Sequence, residues 1–560
     1  MIDNRNTGAR PAFSIDRPPR LRWRPELWLL LAVAAAVRFY GLRFGMPHVW
    51  ARPDELVVVD VAQAFLTGNL NPRFWDYPTL FMYALALLDY AYYLLGRAMG
   101  WFDSVSHFLA LWHVQWTPLF MIARTVSAVA GTMTIAVVYQ IAARLFDRLT
   151  AAIAALFLAL AFLHVRDSHF GVTDVTMVFL VMLSTMCLVT GVVENRTAPF
   201  AVAGALAGAA ASVKYNGVLM FAPLVTAVLI APARGGRALV RRIGLFAVLF
   251  AAAFLVGSPY AALDWPVFWR GLQGQSAHIG TPHGIDLGVG GVNHLVFSLR
   301  YGLGLPLLAA GLAGVVWLWR RDWRKAALLT TFPAAYYLVL FPTRTVFVRY
   351  AIPLVPFLSM TAAFTIVEAA RTIGRRRAVS VPAAALLLAL LVVAPSATAV
   401  GQLDRLFAAK DSRLVLADWI RAAIKPGSTV YFGGNIVVEP IVDIGSTRTL
   451  RYWTHRDGWR FDEQRRPVDG IPDWLVIPET AVPQFSYCPP EVQRLARERY
   501  DIVYSVKAME LSGNLFDRQD AFFYPYAGFQ GARRGGPNYV VYARRPEAPA
   551  AAPSSVSDVR

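Results

Sequence analysis

The chain has 560 residues, of which 56% are hydrophobic and 16% charged, whereas soluble domains carry about 25% charged residues. That balance excludes a soluble globular enzyme and describes an integral membrane protein. The formal charge of +18 comes mostly from arginine, and the arginines cluster between apolar runs, which fits cytoplasmic loops and argues against a nucleic-acid surface.

The basic N-terminus, 1–26, holds Arg5, Arg10, Arg17, Arg20, Arg22 and Arg24. Arg38, Phe39 and Tyr40 stand where a cleavable signal would carry small residues, so the segment reads as an uncleaved signal-anchor. Apolar runs of spanning length, about 17–25 residues, recur along the chain. They lie at 27–44, 119–143, 149–165, 172–193, 241–260, 300–319, 325–342, 347–369 and 379–400. The stretch 199–231 is too long for one span. Ser212-Val213-Lys214-Tyr215-Asn216-Gly217 breaks it, which predicts two short helices with Lys214 at the turn. Arg144, Arg148, Arg196 and the basic groups at 234–242, 320–325 and 371–377 belong on the cytoplasmic side. That placement requires that 78–98 does not cross. Asp89, Phe81, Tyr83, Tyr90, Tyr92 and Tyr93 suit a helix lying at the interface instead. The fold class is therefore a polytopic α-helical membrane protein of about eleven transmembrane helices, with the C-terminus outside.

After the membrane region, 27–400, the segment 401–545 reads as a soluble, extracytoplasmic α/β domain. Leu414–Ala423 has helical spacing, and Thr429–Phe432, Trp474–Ile477, Ile502–Val506 and Tyr539–Tyr542 are β-type runs. The tail, 546–560, is rich in Ala, Pro and Ser and reads as disordered. Cys187 lies in an apolar span and Cys488 in the polar region, so no disulfide is expected.

The polar residues that need an explanation collect on the outer face. Asp54 and Glu55, in Arg52-Pro53-Asp54-Glu55, follow the first span. A loop carboxylate can act as general base, and it can equally cap the helix that follows. Asp174 begins an apolar helix, where an ionised group needs a partner or a watery cavity. Lys214, with Tyr215 beside it, Arg344 and Arg349 are cations at outer span ends that can hold a lipid phosphate or snorkel to headgroups. His278, His283 and Asp286 sit in the glycine-rich loop 261–299, which reads as a mobile substrate loop and not as a metal site.

These features resemble the GT-C glycosyltransferases. The motifs are the acidic pair in the first outer loop, Trp75-Asp76-Tyr77-Pro78, an Asp in the second outer loop, the Lys between short helices, and Arg349-Tyr350 with Pro353 and Pro356. The branch is similar to glycosyltransferase family 39, with dolichyl-phosphate-mannose–protein mannosyltransferases and lipid A aminoarabinose transferases. In the soluble domain Asp418-Trp419-Ile420, Pro426-Gly427-Ser428 and Tyr526-Ala527-Gly528-Phe529 look like bacterial members. The resemblance implies an inverting transferase that moves a sugar from a polyprenyl-phosphate donor to a protein, lipid or glycan hydroxyl. Asp54 would be the catalytic base. Glu55 would shape the site, Asp174 would contact a sugar, and Lys214, Arg344 and Arg349 would meet the carrier phosphate. Tyr215, His278 and His283 complete the substrate-binding set. No metal ligands are assigned, and a divalent cation is left open as cofactor. Asp76-Tyr77-Pro78 stands where aminoarabinose enzymes carry Lys-Pro, which argues against that donor. A flippase and a non-catalytic envelope-assembly subunit are the competing classes. The expected place is a bacterial inner membrane, with the active site outside.

The arginine placement generates a topological prediction. A cysteine introduced at Gly100 or Ser555 should be labelled by an impermeant reagent from the extracytoplasmic side. Labelling from the cytoplasmic side alone would overturn the map.

Overall fold

A helix that is apolar on both its buried and its exposed faces has no stable place in water, and several helices here are of that kind. The structure, a computed structural model, describes residues 24–112, 116–231, 235–442, 451–452, 454–456, 459–461 and 470–546. The basic N-terminus up to Arg22 and the tail from 547 lie outside the described residues. The chain divides into two compact units, Met1–Ala409 with Asn514–Phe529, and Lys410–Gly513 with Gln530–Arg560.

The first unit is helical. Among the described residues five helices are long and apolar enough to cross a membrane: Thr117–Leu145, Thr173–Val193, Gly236–Gly257 and those beginning at Val348 and Val381. A bent pair, Gly290–Leu303 with Leu305–Arg321, gives a sixth if counted as one span. Gly236–Gly257 shows why lipid is the solvent. It leaves Val248, Leu255 and Val256 exposed, the last at 81%, while Phe246 is fully buried. Gly204 and Gly208, four apart, let that helix approach, because a Cβ on either would strike the backbone of Phe246 or Phe250. The stretch at 199–231 forms Ala198–Val213, an extended Lys214, a 3₁₀ turn Tyr215–Met220 and Phe221–Ile230. The interfacial candidate is the helix Leu80–Ala98. It buries Phe81, Met82, Leu85 and Asp89 and exposes Leu87, Leu94 and Leu95.

The second unit is a small α/β layer structure. Its described strands are β1 Thr429–Phe432, β2 Arg451–Tyr452, β3 Thr454–Arg456, β4 Trp459–Phe461, β5 Trp474–Glu479, β6 Tyr500–Val506 and β7 Asn538–Arg544. One sheet has the order β2-β1-β5-β7-β6, and β3 pairs with β4. β1 runs parallel to β2 and β5, while β7 is antiparallel to β5 and β6. Alternation along β5 sends Val476 to the side of Leu416 and Ile420, and Leu475 to the side of Val492 and Ala496. Helices Ser412–Ala423 and Pro490–Arg499 thus cover opposite faces.

The sequence reading assigned all of 401–545 to the soluble domain. In the structure 401–409, which continues the helix Val381–Ala408, and 514–529, which falls between β6 and β7, belong to the helical unit. Local composition hides this, because Asp517-Arg518-Gln519-Asp520 reads as an exposed turn. It is the opposite: Asp517, Gln519 and Asp520 are buried. Gln519 accepts from the Val346 N–H at 2.7 Å and donates to the carbonyls of Ile285 at 2.8 Å and Arg344 at 3.1 Å. The Val348 N–H donates to Asp517 at 2.9 Å. Phe522, Tyr524 and Tyr526 follow, and the Tyr526 hydroxyl donates to the Ser298 carbonyl.

Burial and the neighbouring Asp520 charge push the Asp517 carboxyl up to about 6, against the pull of Arg166 and Arg349. A raised carboxyl keeps its proton longer in the folded state than in the unfolded one. Stability is therefore lost as pH rises from about 4 to about 6 and is level above that. Asp517→Asn keeps an acceptor for Val348 and removes the titration. The thermal midpoint of the wild type should fall relative to that of Asp517→Asn between about pH 4 and about pH 6, with no further relative change above that. A difference between the two that does not change with pH would count against this assignment.

Candidate active site

Pro53 sets φ at the start of the helix Pro53–Phe65, and Asp54 and Glu55 fill its first turn, where carboxylates are favoured. Successive helical residues point about 100° apart, so the two acids face different surroundings. Glu55 is fully buried. Arg124 donates to it at 3.0 and 2.7 Å, and the Gly171 N–H at 2.8 Å. The same guanidinium donates to the carbonyls of Leu42 and Phe44, both at 2.8 Å, and lies over the Phe44 ring. Glu55 therefore fixes the start of its helix against three other segments. Both of its carboxylate oxygens are bonded, which suits a positioning group better than a substrate contact.

Asp54 belongs to a closed ring of charges. Arg52 donates to Asp54 at 3.0 Å and to Asp520 at 2.5 Å. Arg349 reaches Asp54 at 2.9 Å and Asp520 at 2.8 Å. The side chains of Arg52, Arg349 and Asp520 are at most 6% exposed, whereas that of Asp54 is 29% exposed. The ring thus holds one accessible carboxylate in a fixed orientation. The two arginines outweigh the burial of Asp520 and hold its carboxyl down at about 2.

Asp174 and Lys214, both singled out in the sequence as substrate contacts, pair with each other at 2.5 Å. Each supplies the counter-ion that the other needs inside an apolar unit. The Lys214 ammonium lies 5.1 Å from the Tyr350 ring centre and 5.9 Å from that of Tyr77. Burial raises the Tyr77 hydroxyl well above its ordinary value, Asp54 and Asp174 add to this, and Arg349 opposes it. Tyr77 is therefore a neutral hydrogen-bond donor beside Asp54. Tyr215 turns away: its hydroxyl donates to the Trp75 carbonyl at 2.9 Å and its ring meets Phe268.

The histidines lie close together, with ring centres 5.4 Å apart. His283 packs on Phe347, whose ring in turn supports the Arg349 guanidinium at 4.0 Å. Burial lowers the titration of His283, and His278 and Arg349 lower it further, so the ring stays neutral near pH 7. Thr345 donates to the carbonyls of His278 and Thr281, tying this loop to the segment that carries Arg344. Arg344 itself is exposed and meets Asp286 only at 3.3 Å. Among the described residues no three His, Cys, Asp or Glu side chains come together as metal ligands.

The structure thus brings Asp54, Arg349, Asp174, Lys214 and His283 around one place, while Glu55 and Tyr215 bond to other partners, Arg124 with Gly171 and the Trp75 carbonyl. Sequence reasoning missed Arg52, Tyr77, Tyr350 and Asp520 as members. Arg52, Tyr77 and Tyr350 stood inside the motifs that were noticed. Asp520 had no local signal beyond the nearby Tyr526-Ala527-Gly528-Phe529 stretch.

Residues 118–262 match the family described as dolichyl-phosphate-mannose-protein mannosyltransferase. No curated protein matches the chain. Among solved structures, ArnT from Cupriavidus metallidurans in the apo state aligns with a TM-score of 0.54 and 16% identity, covering 92% of this chain and 97% of that one. ArnT bound to undecaprenyl phosphate aligns with a TM-score of 0.53 and 15% identity over the same shares. The family match thus covers one stretch of the membrane region, and the structural match shows a fold shared with ArnT over nearly the whole chain.

Proposed function

We propose that the protein transfers a sugar from a polyprenyl-phosphate carrier to an acceptor hydroxyl in one inverting displacement, with Asp54 as the base. The observation that carries this reading is the ring that holds Asp54 fixed by two arginines yet accessible. In the step, the acceptor O–H gives its proton to Asp54. The acceptor oxygen bonds to the anomeric carbon from the face opposite the carrier. The bond from that carbon to the phosphate oxygen breaks, and its electron pair leaves with the polyprenyl phosphate. Preorganised cations stabilise the charge that develops there.

The candidate cations differ in how freely they can do this. Arg344 is exposed and loosely paired with Asp286, so exchanging that partner for a phosphate costs little. Lys214 is held by Asp174, and Arg349 by two aspartates. We assign Arg344 to carrier capture, and Lys214 and Arg349 to fixing the field around the leaving group. Neutral Tyr77 and His283 would hydrogen-bond the sugar or the acceptor. That ArnT has been solved with undecaprenyl phosphate supports a carrier of this class. The acceptor is a hydroxyl on protein, lipid or glycan, and the donor a hexose, mannose-like by the family match. The proposed setting is a bacterial inner membrane, with the site facing outward.

Both arginines meet the same Asp54 oxygen, so Asp54→Asn keeps an acceptor for them and removes the base. Sugar transfer from a polyprenyl-phosphate donor, by purified protein in nanodiscs, should fall about 10²–10⁴-fold. Donor binding should stay close to that of the wild type, since the cations remain. Normal turnover with reduced stability would point to helix capping and refute the proposed mechanism.

A further inference from the structure

The bend of 115° between Gly290–Leu303 and Leu305–Arg321 centres on Gly304, whose φ of +78° suits glycine. Around it lies a cavity of about 480 Å³, walled in part by Arg300, Tyr301, Leu305, Pro395, Gln402 and Phe529. None of these belongs to the charge ring or touches it in any contact described above. Phe529 ends the segment that carries Asp520.

The charge state of this cavity differs from that of the active site. Arg52, Arg349, Lys214 and Arg344 all have carboxylate partners. Arg300 is exposed, and its guanidinium lies 5.3 Å from the centre of the Tyr301 ring. It forms none of the ion pairs among the described residues. A cation on a hydrocarbon-facing helical unit, with an aromatic ring to orient it and no internal counter-ion, is matched to an anion from outside the chain.

Two apolar rows leave the cavity. On Leu305–Arg321, Leu305 is 60% exposed, Leu312 43% and Val316 53%, at a spacing that keeps them on one helix face. On Val381–Ala408, Leu387 and Leu391 are 60% and 62% exposed and stand two turns and one turn before Pro395. A polar head with two exposed apolar rails has the shape of a headgroup and two acyl chains.

We propose that this cavity binds the phosphate of an anionic two-chain bilayer phospholipid. Arg300 pairs with the non-bridging phosphate oxygens, Gln402 donates to the headgroup, and the leucine rows receive the chains. A polyprenyl phosphate shares the phosphate chemistry but offers one chain for two rails. The occupant would lie against Phe529 and so brace the segment that brings Asp520 to the ring.

The test uses the full-length protein, delipidated in detergent and titrated with phosphatidylglycerol under native mass spectrometry. The wild type should bind phosphatidylglycerol in preference to phosphatidylcholine. Arg300→Gln should weaken phosphatidylglycerol about tenfold, the scale of one charge-assisted contact. Arg300→Lys should recover part of the loss. The site is exposed, so unfolding does not confuse the reading, and an unchanged melting profile of Arg300→Gln checks this. Equal phosphatidylglycerol affinity in Arg300→Gln and wild type overturns the proposal, as does equal binding of phosphatidylcholine by the wild type. Displacement by equimolar undecaprenyl phosphate or inorganic phosphate overturns the assignment to a bilayer lipid.

Discussion

The site depends on a closed ring of two arginines and two aspartates, Arg52, Asp54, Arg349 and Asp520. Burying one such charge alone would cost several kcal/mol, and removing one partner from a buried pair costs about 3–5 kcal/mol. Closure as a neutral ring avoids that cost, since each arginine donates to both acids. The gain is geometric. Asp54 can turn neither toward lipid nor toward its own helix while both guanidiniums hold it. Aromatic rings complete the support: Arg52 lies over Phe170 and Phe522, and Arg166 lies over the same two rings.

Two further constraints follow from the ring. The helix bearing Asp54 must start in a fixed place, and the buried Glu55–Arg124 pair sets it there. The fourth member must also arrive from far along the chain. Asp520 stands on the connection between two adjacent antiparallel strands of the second unit, although 514–529 belongs to the first. That connection brings Asp517 and Gln519 as well, which hold the backbone at Val346 and Val348, just before Arg349. The sheet is thus the covalent anchor for a segment whose chemistry lies in the helical unit.

Much of this was legible in the sequence because lipid imposes a strong pattern. Apolar length located the helices, the polar interruption at Lys214 located a break, and the acidic pair after the first apolar run pointed to the candidate site. What stayed hidden depends on partners distant in sequence. Asp174 and Lys214 were each noticed as unsatisfied charges, but only the fold shows that they satisfy one another. Glu55 carries the same local signal as Asp54, and only the helix phase separates a buried strut from an accessible carboxylate. Asp520 sits in a short polar run that composition assigns to a surface turn. Its burial is set by Arg52 and Arg349, and no local periodicity reports that.

The most direct test of the ring is a double-mutant cycle on Arg52→Gln and Asp520→Asn, read as turnover of sugar transfer per folded full-length molecule. If the two residues act as a unit to orient Asp54, each single substitution lowers turnover and the double variant is no worse than the weaker single. Losses that simply add, or normal turnover in folded Asp520→Asn, would contradict the account.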